Sequence, residues 1–70
     1  MSRDELRSQI NVLENAINNL EADIRRIEDR INSAPPQSRS VIEGWENDLR
    51  NSRSALKDYK QKKRDYESRL

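Results

Sequence analysis

Seventy residues, 31% hydrophobic and 39% charged with no Cys and no His, leave room for one small domain without a disulfide scaffold or a thiolate zinc site. A formal net charge of +1 excludes a chain built as a polyanion or polycation, and no apolar run nears the roughly 18 residues of a membrane span. So lean an apolar content means either disorder or long helices, and periodicity decides between them.

The first element is marked from end to end. Leu6, Ile10, Leu13, Ile17, Leu20, Ile24, Ile27 and Ile31 recur at alternating spacings of four and three, a heptad seam with Ile at every a position. Ser2-Arg3-Asp4-Glu5 fits a capping box at its start, with Met1 placed to staple onto Leu6. Pro35 disfavours a helical Ala34 and Pro36 reinforces the stop, so helix one spans about 3–33. The connection, about 34–39, has a length typical of antiparallel neighbours.

A second seam follows in Ile42, Trp45, Leu49, Ser52, Leu56, Tyr59, Lys63, Tyr66 and Leu70, weakened at Ser52 and Lys63. Ser40-Val41-Ile42-Glu43 offers another capping box, so helix two is expected over about 40–70, or from Pro36 if Pro36 fills the first helical position. Folding back at the prolines sets Ile31 opposite Ile42, Ile24 opposite Leu49, Ile17 opposite Leu56 and Leu13 opposite Tyr59. That register matches Glu21 with Arg53, Glu14 with Lys60 and Arg7 with Glu67, leaving Glu28 against Glu46 as the one repulsive pair. Residues 1–35 carry five basic and seven acidic groups and residues 36–70 carry nine and six, which favours pairing of the halves. A parallel dimer of helix one, the alternative suited to Ile at a and Leu at d, would strand the second seam and set Asp23 near Glu28. The fold expected is all-α, one antiparallel two-helix coiled-coil hairpin over 1–70 that assembles into a four-helix bundle or larger homo-oligomer.

The flank opposite those ion pairs carries Val12, Ala16, Asn19, Val41, Gly44, Asn51 and Ala55, where a solvated flank would hold Glu and Lys. Val and Gly are poor choices for a wet helix surface, so this flank is the expected oligomer interface, with Asp23 and Asp48 left to meet a basic group of another chain. Arg50, Arg53, Lys57, Lys60 and Arg64 share one face of helix two over about 21 Å, a stripe suited to phosphates or an acidic protein unless helix one neutralises it. Trp45, beside Gly44 near the turn, either covers Ile27 and Ile31 or stands out as a tip anchor of the kind enriched at binding hot spots. Asn11, Asn15 and Asn18 make a polar line on the outer face of helix one that suits a second partner.

Catalysis has little to stand on. General acid–base work needs convergent groups in a sheltered site, and a two-helix hairpin has no shelter; paired carboxylates such as Glu28 and Asp29 diverge on a helix. No catalytic, metal or cofactor residue is assigned, and no cofactor is expected. A helical hairpin with Trp beside its turn resembles the WXG family of secreted hairpins in outline, but Gly44 precedes Trp45 here and Glu46-Asn47 follows it, where that family carries Trp-x-Gly.

The function expected is therefore a non-catalytic interaction module, an inhibitor, adaptor or assembly factor of the phage or plasmid accessory type. The alternative is a binder of nucleic acid or a nucleotide-type anion through the basic stripe. A second copy of the chain and an unidentified protein are the expected partners, with no membrane, in the cytoplasm or a host cytoplasm.

Overall fold

The computed structural model describes residues 1–33 and 35–70, so the reading of Ala34 as non-helical falls outside what is described. Two helices, α1 over Arg3–Ser33 and α2 over Arg39–Glu67, pack against each other in a rod 52 × 14 × 12 Å in extent. They run antiparallel: Arg3, at the start of α1, donates through its guanidinium to the Leu70 carbonyl at 3.2 Å. No described helix is long and apolar enough to cross a membrane.

The start of α1 follows from its first residues. The Ser2 hydroxyl accepts from the Glu5 amide at 3.2 Å and the Ser2 carbonyl accepts from the Leu6 amide at 3.0 Å, satisfying donors that a helix start otherwise leaves bare. Asp4 and Glu5 in the first turn and Arg30 in the last complement the helix dipole.

The start of α2 departs from expectation. Its N-cap is Ser38, extended at φ −63° and ψ 152°, with its carbonyl accepting from Val41 and Ile42 at 3.1 and 3.2 Å. Ser40 is already helical, so the capping box read at Ser40–Glu43 does not form; the Ser38 and Ser40 hydroxyls lie 3.3 Å apart instead. Glu43 takes a different partner, Arg39 one turn back at 3.2 Å. The far end also differs. Regular helix stops at Glu67, short of residue 70, where the Ser68 amide bonds to the Arg64 carbonyl and its hydroxyl to the Asp65 carbonyl at 2.7 Å.

The core lies almost wholly on one helix. Leu6, Ile10, Leu13, Ile17 and Ile24 of α1 are buried, whereas no described residue of α2 is. The two seams explain this asymmetry. Toward the open end the α2 seam carries Tyr59, Lys63 and Tyr66, long side chains whose polar ends stay in water; Tyr59 remains 39% exposed. Lys63 fills a seam position by lying half-buried along its stem and lifting its ammonium out to Glu14 at 3.4 Å. Leu20 is only partly covered because the register sets it opposite Ser52, which is too small to reach across.

Candidate interaction surfaces

The ion pairs across the hairpin are not those that level matching predicts. Glu14 meets Lys63 instead of Lys60, and Arg53 meets Glu28, at 3.8 Å, instead of Glu21; no Arg7–Glu67 pair occurs among the described residues. Glu28, assigned to a repulsive contact with Glu46, is thereby compensated. The cause is the direction of side chains on a helix. Each leans toward the N-terminus of its own helix, so on antiparallel helices two residues at one level lean apart. The partners that meet lie further along both chains, by about one turn in total for Glu14 with Lys63 and about two for the longer arm of Arg53.

This shift leaves part of the basic stripe unneutralised. Lys57, Lys60 and Arg64 have no carboxylate within 4.0 Å among the described residues, while Arg50 donates to the Asn47 side-chain oxygen at 3.2 Å. Together with Arg53, Leu56 and Gln61 they line a shallow, solvent-open groove along α2. Lys60 and Arg64 also border a second groove, between the helices, whose other wall carries Glu14 and Glu21.

The weakly polar flank is open to solvent along most of its length. Val12 is 60% and Val41 38% exposed, and Asn19, Gly44 and Asn51 are exposed as well. Ala16 and Ala55 are half-buried, as residues at the margin of the helix–helix contact would be. A Cβ added at Gly44 would meet no atom within 4 Å, so the fold of a single chain does not require glycine there. Asp23 accepts from Arg26 at 3.2 Å within α1 and remains exposed.

At the tip, Trp45 is half-buried with Ile27 and Ile31, and the Arg30 guanidinium lies over its ring 5.7 Å from the centroid. One face of the indole is thus already occupied by a cation, which narrows what a tip anchor could offer. Asn11, Asn15 and Asn18 are all exposed. A signal that the sequence does contain but that level matching overlooks is the Lys63 stem: a Lys on a seam with a Glu on the facing helix marks a snorkelling cation.

No protein family matches the chain, and neither a curated protein nor a solved structure does.

Proposed function

We propose that the chain is a non-catalytic helical interaction module that self-associates and, as an inhibitor, adaptor or assembly factor, engages a larger protein. One observation carries this reading: a hairpin whose second helix buries no described residue also presents Val12 and Val41 to water on a flank whose middle holds Ala16, Asn19, Asn51 and Ala55. A single seam on a 70-residue chain stabilises it by only a few kcal/mol, on the order of 3–5, and burying a second face is the common remedy. The interface consists of Val12, Ala16, Asn19, Val41, Gly44, Asn51 and Ala55. Sedimentation equilibrium of the native chain and of the Ala16→Glu/Ala55→Glu variant tests it. A native oligomer that the two carboxylates dissociate is the expected result; a native chain that stays monomeric at high concentration refutes it.

A second reading is favoured by Lys57, Lys60 and Arg64, which make no ion pair within 4.0 Å among the described residues. On it, the groove they line with Leu56 and Gln61 holds the phosphates of a nucleic acid or nucleotide. Binding to a single-stranded oligonucleotide would then fall with salt at a logarithmic slope of about −2, three cations at roughly 0.7 each, and vanish when all three are changed to Glu. Salt-insensitive or absent binding removes this reading.

A further inference from the structure

The charges on the same flank of α2 say how two copies meet. Asp48, Ala55 and Lys62 are spaced seven apart, so they occupy one line on α2, with about 10 Å of helix between neighbours. Asp48 and Lys62 are both exposed, and neither makes an ion pair within 4.0 Å among the described residues. One heptad before the alanine the line is negative; one heptad after it, positive. A surface with this pattern is complementary to itself reversed, the requirement of a two-fold interface.

Resting on the self-association proposed above, we infer that two hairpins pack flank to flank with the tip of each beside the open end of the other. The two-fold axis passes between Asn51 and Ala55. Asp48 of each copy then reaches Lys62 of the second copy, and symmetry makes that contact twice. The same lean that moved the ion pairs inside the hairpin sets the axis there and not at Ala55: side chains on antiparallel helices meet about one turn beyond their level partners. Asp58, the acid of α2 nearest the axis, falls opposite the neutral Asn51. In the reverse arrangement, tip beside tip, α2 of one copy would lie on α1 of the other. That arrangement cannot bring Asp48 to Lys62, because both lie on α2 and each would face α1 of the second copy.

Charge exchange tests the orientation. Asp48→Lys alone and Lys62→Asp alone each place like charges together twice in the tip-to-open-end dimer, and each is expected to weaken dimerisation about tenfold at low salt. The double variant Asp48→Lys/Lys62→Asp restores the pairing with its sign reversed and should recover native affinity to within about threefold. Both positions are exposed, and circular dichroism of each variant confirms that the hairpin itself is retained. Single variants that weaken the dimer without recovery in the double, or that leave it unchanged, overturn the orientation while self-association stands. A monomeric native chain overturns the earlier proposal and this one with it.

Discussion

At the scale of single residues, Lys63 shows how a polar residue is accommodated in an apolar seam. Its stem covers α1 and its ammonium reaches Glu14, both groups remaining partly in water at 29% and 47% side-chain exposure. An exposed pair of this kind contributes roughly 0–1 kcal/mol, whereas the apolar area that a leucine would bury at the same place contributes about as much or more. Lys63→Leu should therefore raise stability by up to about 1 kcal/mol in urea denaturation, and Lys63→Glu should lower it, since it sets a carboxylate beside Glu14. A loss of stability in Lys63→Leu would show that the ammonium contact outweighs the seam. The same residue marks a limit of reading the sequence. Heptad spacing assigns a residue to a face, and the buried face of α1 was legible from it; which long arms meet depends on side-chain direction, which spacing does not encode.

At the scale of the element, the two helices are specified unequally. The seam of α1 is unbroken and its Ser2 cap forms, so its bounds could be read from the sequence. For α2 the Ser40–Glu43 pattern competes with an earlier start. Once Ser38 turns extended and Arg39 joins the helix, Glu43 lies one turn from Arg39, and that ion pair takes the carboxylate the box would have used. A four-residue pattern cannot reveal which of two neighbouring serines ends the turn. Within α2, Gly44 is the weakest helix former, and a Cβ there meets nothing within 4 Å. Gly44→Ala should thus stabilise the isolated hairpin by about 1 kcal/mol, measured where it is monomeric. If the same change weakens self-association, another backbone approaches Gly44 closely in the oligomer. An unchanged association would place Gly44 at the rim.

At the scale of the whole molecule, a rod 52 Å long is held by one line of five buried side chains, all of them on α1 among the described residues. Register errors along such a line would shift every contact by a turn, and the Arg3–Leu70 contact at the open end is consistent with a single alignment of the two helices. That alignment sets Ile24 opposite Leu49, so the Ile24→Cys/Leu49→Cys variant should oxidise within one chain, seen as a faster-migrating monomer on a non-reducing gel. Covalent dimers in its place would mean that copies exchange helices. Thermal unfolding then separates what one seam supplies from what assembly adds. Whatever binds the folded hairpin but not the unfolded chain stabilises it by mass action, so for a self-associating hairpin the melting temperature rises with protein concentration. From about 5 to 500 μM the native chain should gain several degrees, and the Ala16→Glu/Ala55→Glu variant should melt at one temperature throughout. A native midpoint independent of concentration would mean that the line of five buried side chains on α1, with its cover from α2, accounts for all the stability the chain has.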